Sequence, residues 1–298
     1  MATTPFVCFS GDVPLAGRMH RMTEDPSEPQ PGVLVTGSWL TVKEQMAGRY
    51  AAALAERGYT AFTFDFAGFG RSGGAPRQLE APTRKIADLA AVAEYVSTLS
   101  SVRPGGIGQL AVCASAQYAV AALARGARIS SLVSVAGWFH DLPSVTPVYG
   151  GPEGVALRFD RAAAALDRYL DTGEVVTVPA YGPGDDRAGM PVPLDYYGDP
   201  ARGAIPAWRN EMAEMSWSHW LTFDGLSSSA AVSAPMLFVH GDECVLPDNV
   251  RAVAGRARGP VDLVWKDGTQ IDFYDRSAQV DAAVEAADDH FRRTLAAA

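Results

Sequence analysis

The chain has 298 residues, 48% of them hydrophobic, with a formal net charge of −9 and a pI of about 5.0. That length supports one large core, or one core with a sizeable insertion. The acidic balance and the lack of a basic stripe argue against nucleic acid and anionic membrane surfaces as partners.

The N-terminus, Met-Ala-Thr-Thr-Pro, has no basic region followed by an apolar one, so no signal peptide is expected and a cytoplasmic protein is the default. Cys8, Cys113 and Cys244 stand at unrelated spacings and suggest neither a disulfide framework nor a metal site. No cofactor is expected. Residues 104–124 carry no charge, but they contain Gly105, Gly106, Gly108, Gln109, Ser115 and Gln117. They read as a buried strand and a buried helix, not as a membrane span.

In chain order, residues 4–10 and 14–22 alternate around Gly11-Asp12 as a β-hairpin, and Thr23–Pro31 is a Pro-rich loop. Gly32–Thr36 is an apolar strand. Thr41, with Glu44 three residues later, predicts a capping box and a helix over Val42–Arg57 that stops at Gly58. Thr60–Phe64 is a strand closed by Asp65, and the Gly-rich stretch to Gly74 is a loop. Residues 82–100 place Ile86, Leu89, Ala93 and Val96 on one helical face. Ile107–Val112 is a strand, Ala114 to about Arg125 a helix, and Ser130–Ala136 a strand. Strand–helix alternation of this kind predicts a mostly parallel sheet with helices on both faces. Chemistry then gathers outside the carboxyl ends of the strands, so Gly37–Trp39, Asp65, Cys113 and Trp138–Asp141 are expected at one rim.

The alternation breaks after Asp141. Residues 142–232 carry many Pro, Gly, Tyr and Trp and no convincing strand; Leu157–Leu170 and Pro206–Met215 look helical, and Pro179–Pro200 loop-like. A structureless loop of that length is implausible in a compact domain, so the region reads as a cap inserted into a core of residues 1–141 and 233–298. The sheet resumes at Pro235–His240, followed by a helix from Pro247 to about Arg256. A strand over Val261–Trp265, the loop Lys266–Asp272 and a helix over about Ser277–Ala296 complete the chain.

The break at Cys113 carries the chemistry. A strand that turns sharply into a helix pushes out the side chain at the turn and needs small residues two before and two after it. Ala111 and Ser115 are small, whereas centring the turn on Ser115 would put Gln117 at a small position. This is the nucleophile-elbow pattern, with cysteine in the place of serine. The alternative is a buried cysteine at a strand end.

Thr36-Gly37-Ser38-Trp39, Asp65 to Gly74, the elbow at Cys113, His240-Gly241-Asp242 and a closing loop before the last helix fall in the order of the α/β-hydrolase superfamily, which the chain resembles outside the cap. Cysteine at the elbow, Val42-Lys43-Glu44-Gln45 and the run Asp267–Asp275 resemble its dienelactone-hydrolase-like branch. Fold does not fix function, so the site is argued separately.

A helix N-terminus beside Cys113 favours thiolate. The resemblance implies an oxyanion hole from the N–H of Ala114 and a second donor at Ser38 or Trp39. It implies an acid after the strand ending at His240, where Asp242 and Glu243 are the candidates. It also implies a histidine in the closing loop, where this chain has Gln270. Glutamine cannot take a proton near neutral pH, so the usual triad cannot assemble. Among the five histidines, His20 and His290 are expected far away and His240 structural, while His219 could reach down from the cap. His140, at the active rim, is the best substitute base. Tyr196, Tyr197, Trp217 and Trp220 are the candidates for lining a substrate pocket, with Trp208 and Phe223 among the cap aromatics that pack it.

Two function classes follow. One is an enzyme acting through Cys113 on a lactone, ester or thioester, with cyclisation, lyase or C–C chemistry favoured by the missing histidine. The other is a binding or regulatory protein that keeps the fold and a cap pocket without turnover. The expected partner is a small molecule, and homo-oligomer formation is left open.

Overall fold

The computed structural model describes residues 1–22, 25 and 28–295. Thr23, Glu24, Pro26 and Ser27 of the expected loop, and Ala296 at the expected end of the last helix, lie outside the described residues.

One eight-stranded sheet organises the molecule. In chain order its strands are β1 (Ala2–Ser10), β2 (Val13–Arg21), β3 (Gln30–Thr36), β4 (Thr60–Phe64), β5 (Val102–Val112), β6 (Ile129–Val135), β9 (Met236–His240) and β10 (Val261–Trp265). Between β6 and β9 lie β7 (Thr177–Val178) and β8 (Met212–Ala213), a separate antiparallel pair. The spatial order is β1-β2-β4-β3-β5-β6-β9-β10. The β1–β2 and β2–β4 pairings are antiparallel, and every other neighbour in the large sheet is parallel. β4 and β9 are buried along their whole length, as apolar parallel strands covered on both faces must be. Helices α1 (Met46–Glu56) and α10 (Ser277–Thr294) contact each other, as do α2 (Pro82–Ser97) and α3 (Ser115–Ala124).

The parallel register brings strand ends to one rim. Ala111 pairs with Thr36 on one side and Ser134 on the other, and Trp265 pairs with His240. Asp65, expected at this rim, is buried at the end of β4. It accepts from the Lys43 N–H (2.9 Å) and pairs with Lys43 Nζ (2.6 Å). That pull explains why α1 starts a turn later than the capping box predicts. Thr41 donates instead to Ser38 O (2.6 Å), Gln45 Oε1 accepts from the Val42 N–H (2.9 Å), and Glu44 turns to Lys43 (2.9 Å).

The segment between β6 and β9 holds α4 (Leu142–Val145), α5 (Gly151–Thr172), α6 (Asp195–Gly198), α7 (Ser216–Leu221) and a 3-10 turn, Ser227–Ala231. Pro206–Met215 is not helical: it consists of turns and β8, whose Ala213 N–H donates to Gln78 O (2.9 Å). One apolar cluster runs from the sheet into this segment without interruption, through Phe139, Tyr149, Tyr197, Trp217 and Trp220. Among the described residues no helix is long and apolar enough to cross a membrane.

Candidate active site

Cys113 sits at the junction of β5 and α3 with φ of 58°, a left-handed conformation that a side chain adopts only when its surroundings enforce it. Its N–H donates to Val135 O (3.0 Å), and its carbonyl accepts from Ala116 and Trp138 (both 3.0 Å). Ala111 and Ser115, the small flanking residues, are buried where strand and helix pass each other. Three further non-glycine residues with positive φ, Leu40, Ala136 and Leu246, lie in the loops around this one. Strain of this kind clusters where geometry is over-determined for function.

Four groups able to donate stand by the sulfur and pull its pKa down: the Ser38 hydroxyl, the Tyr274 hydroxyl, the Ala114 N–H and the Gln270 amide. They form a network. Tyr197 donates to Ser38 Oγ (3.1 Å), Ser38 Oγ and Tyr274 Oη share a hydrogen bond (3.1 Å), and Gln270 Nε2 is 3.4 Å from Tyr274 Oη. Gln270 is held at both ends, donating to Ala136 O (2.7 Å) and accepting from the Val245 N–H (3.2 Å). Burial pushes the Cys113 thiol above the ordinary cysteine value, and the four donors oppose that shift. The expectation that the helix N-terminus would favour thiolate therefore gives way, because Cys113, a free cysteine, is buried, with only 4% of the residue exposed.

A cavity of about 320 Å³ opens above Cys113. Ser38, Ala114, Gln270 and Tyr274 line its floor; Trp39, Trp138, Tyr149, Tyr197 and Trp220 line its walls. Volume and apolar character are those of a small-molecule site. Gly189 belongs to the wall for a steric reason: a Cβ there would stand 3.1 Å from the Trp39 ring and 3.0 Å from Ala180 O. Tyr196 and Trp217, expected in the pocket, stand behind it. Tyr196 packs on Tyr197 and Tyr274 (both 5.2 Å), and Trp217 packs on Trp39 (5.8 Å) and Tyr149 (5.1 Å).

The expected acid and base are placed elsewhere. Asp242 is exposed, bonded to Arg251 (2.5 Å) and to the Trp265 indole (2.9 Å), and that guanidinium holds its carboxyl below the usual range. Glu243 is exposed too, and among the described residues neither carboxylate bonds Gln270. The residue that the loop turns inward is Cys244, whose Sγ faces Gly268 O (3.6 Å) and whose thiol burial pushes up to about 12. His140 is fully buried with both nitrogens engaged: Nδ1 accepts from the Trp138 indole (2.8 Å), which leaves Nε2–H to donate to Trp220 O (2.8 Å). Burial lowers its pKa to about 4, so it stays neutral, and neither ring nitrogen is free to take a proton from Cys113. Among the described residues no group of three or more His, Cys, Asp or Glu is arranged to hold a metal ion.

Tyr274 and the Ser38 hydroxyl were missed by the sequence reading. Tyr274 lies on the short helix α9 (Asp272–Asp275), and Gln270, four residues earlier, lies in the turn that leads into it. One expected result follows. Gln270→His supplies a base with no carboxylate behind it, so hydrolysis of activated esters should rise by no more than about tenfold, against the roughly 10²–10⁴-fold of a supported general base. A larger gain in an ester assay would mean that a carboxylate reaches position 270.

The chain has the α/β-hydrolase fold. It superposes on DcsB in complex with its substrate analogue with a TM-score of 0.85 at 19% identity, over 99% of this chain and 100% of that one. For the GrgF α/β-hydrolase of Penicillium sp. sh18 the TM-score is 0.81 at 19% identity, covering 99% of both chains. At such identities the likeness establishes the fold alone. In sequence the chain is similar to the uncharacterized protein YcjY of Escherichia coli K12, 39% identical over 35% of this chain and 37% of that protein. It is similar to PA2218 of Pseudomonas aeruginosa, 27% identical over 83% of this chain and 68% of that protein. It is also similar to the acyltransferase DrtE of Aspergillus calidoustus, 27% identical over 62% of this chain and 56% of that protein. The chain thus spans well under two thirds of YcjY and of DrtE. No protein-family model matches it.

Proposed function

We propose that this protein is an acyl-transfer enzyme that carries the acyl group of a small thioester on Cys113 and passes it to an acceptor other than water. The observation that supports this most is the set of four donor groups around a strained elbow cysteine with, among the described residues, no histidine acting on the sulfur. A similar protein named as an acyltransferase points the same way.

Cys113 Sγ attacks the thioester carbonyl. The N–H groups of Ala114 and Trp39 take the oxyanion, because the Ser38 N–H is turned to Met46 Sδ (3.5 Å). The thiol proton passes to Tyr274 Oη as Tyr274 gives its own to Ser38 Oγ (3.1 Å) and Ser38 releases its proton towards the departing thiolate, while Tyr197 keeps its hydrogen bond to Ser38 Oγ. The products are an acyl-Cys113 thioester and a free thiol, and the protons balance. The acyl group then moves to a hydroxyl, an amine or a carbon nucleophile, within the same substrate in a cyclisation, and Cys113 regains its proton. With no base to activate water, hydrolysis is the slow branch. Cysteine at the elbow also supports a place beside the dienelactone-hydrolase-like branch.

Intact-mass analysis after incubation with N-acetylcysteamine thioesters of medium-chain acids tests this. A single acyl adduct that maps to Cys113 and persists is expected. Adducts on other residues only, or none with any chain length, would leave a binding protein as the reading. Tyr274→Phe removes the hydroxyl that faces the sulfur and bonds Ser38. Acylation, followed as the initial rate of adduct formation, should fall by roughly 10²-fold, the lower end of what a positioned proton-transfer group contributes. An unchanged rate would show that the relay does not run through Tyr274.

A further inference from the structure

Acylation at Cys113 explains the floor of the cavity and leaves one lining residue unexplained. Among the described residues, Arg158 of α5 is the only one lining the cavity that carries a formal charge. Its Nη1 donates to Tyr149 O (2.9 Å) and Gly154 O (3.0 Å), and the guanidinium lies over the rings of Tyr149 (5.0 Å) and Trp217 (4.9 Å). Among the described residues no carboxylate comes within ion-pair distance of it, whereas Arg161 and Arg168 on the same helix pair with Asp186 (3.3 Å) and Glu174 (2.6 Å). Arg161 and Asp186 are the charged groups that act on Arg158 from a distance, with opposite signs. The Tyr149 hydroxyl, whose ring lies under the Arg158 guanidinium, accepts from the Trp220 indole (2.7 Å) on the cavity wall.

A half-buried cation costs desolvation, and a structural arginine normally recovers that cost from a carboxylate. This one is fixed by two carbonyls and two aromatic rings, with donors to spare, beside an otherwise uncharged cavity. A planar, pre-oriented guanidinium suits a two-oxygen anion. We propose that Arg158 binds a carboxylate at the far end of the substrate's apolar acyl chain while the reacting carbonyl lies at Cys113. The substrate class is then an acyl thioester whose chain ends in a carboxylate. This rests on the acyl-transfer reading for the role of the near end only, since the binding of the carboxylate is measurable without turnover.

The test uses the Cys113→Ala protein and the fluorescence of Trp39, Trp138 and Trp220, which line the cavity. Monomethyl suberate, with one carboxylate, should bind more tightly than dimethyl suberate. Arg158→Gln should weaken the monomethyl ester by about 10- to 100-fold, the range of hydrogen bonds to charged groups, and leave the dimethyl ester within about twofold. Arg158→Lys keeps the charge, loses the fork and should fall between. Equal binding of the two esters by the parent protein, or equal weakening of both by Arg158→Gln and Arg158→Lys, would overturn the proposal. Tighter binding of monooctyl phosphate than of the monomethyl ester would overturn it too, in favour of a phosphate-bearing carrier arm. Failure of acyl-adduct formation on wild-type Cys113, with the ester difference intact, would count against the acyl-transfer reading alone.

Discussion

Cys113→Ala should abolish acyl-adduct formation and lower turnover by roughly 10⁴-fold or more, as loss of a nucleophile does in covalent catalysis. The fold should survive. The change removes one sulfur atom from a cavity wall, and alanine meets the same left-handed backbone at φ of 58° that cysteine does. The cost is on the order of 1 kcal/mol, a fall in Tm of about 2–4 °C for a domain of this size. Cys113→Ser is expected to be nearly as poor, because a hydroxyl depends on a base that no residue here supplies. The pH dependence distinguishes this site from an activated Cys–His pair. Burial holds the folded thiol above its ordinary value, so iodoacetamide labelling should keep rising at pH values where free cysteine has already levelled off. Labelling that levels off below the free-cysteine range would show that the four donors outweigh burial. A Cys113→Ala protein that retains turnover would remove the residue from the mechanism.

What was legible in the sequence was what depends on near neighbours. The elbow could be read because its requirement is local: a short apolar strand, small residues at Ala111 and Ser115, and an Ala-rich helix after it. Val261–Trp265 and Pro247–Arg256 coincide with the sequence reading to the residue, since turn residues and Pro bound them. Asp242 failed for the opposite reason. Its direction is decided by Arg251, nine positions later on α8 (Pro247–Arg256), and by Trp265, at the end of the neighbouring strand. No pattern around His240-Gly241-Asp242 announces either partner. His140 failed through a contact only two residues away, the Trp138 indole, which depends on rotamers rather than on spacing. The capping box at Thr41 was outcompeted by Asp65, which draws in the backbone that the box would have used. The groups around Cys113, Ser38 and Tyr274, with Tyr197 bonded behind Ser38, come from three distant stretches, and no local pattern in the sequence brings these hydroxyls together.

Behind the loop that carries Ser38 and Trp39 lies a second arrangement that no motif announced, and it carries the largest expected stability effect. Glu80 and Lys85 are buried side by side, Nζ to Oε2 2.7 Å. Glu80 Oε1 accepts from Tyr118 Oη (2.8 Å), Oε2 also accepts from the Leu40 N–H (3.2 Å), and the Glu80 N–H donates to Ser216 Oγ (3.0 Å). Lys85 Nζ stands over the rings of Phe69 (4.5 Å) and Phe66 (4.8 Å). One carboxylate thus ties the oxyanion loop, the elbow helix α3 and, through the backbone, the segment bearing Trp217 and Trp220. Glu80→Ala leaves an ammonium in an apolar site without its partner, and breaking a buried pair in this way costs about 3–5 kcal/mol. Thermal denaturation should show Tm lower by roughly 6–20 °C at the 2–4 °C per kcal/mol of a domain this size. Lys85→Met combined with Glu80→Gln removes both charges, keeps an acceptor for Leu40 and should recover most of that loss; the Glu80→Gln and Lys85→Met single variants close the double-mutant cycle that reads the coupling. Activity should not follow stability step for step. Glu80→Ala frees the Leu40 N–H and lets Trp39 drift from the oxyanion, so kcat should fall further in Glu80→Ala than in the double variant even below both melting transitions. A Glu80→Ala protein that melts within about 1 kcal/mol of wild type, or whose kcat equals that of the double variant, would show that the buried pair holds neither the core nor the loop.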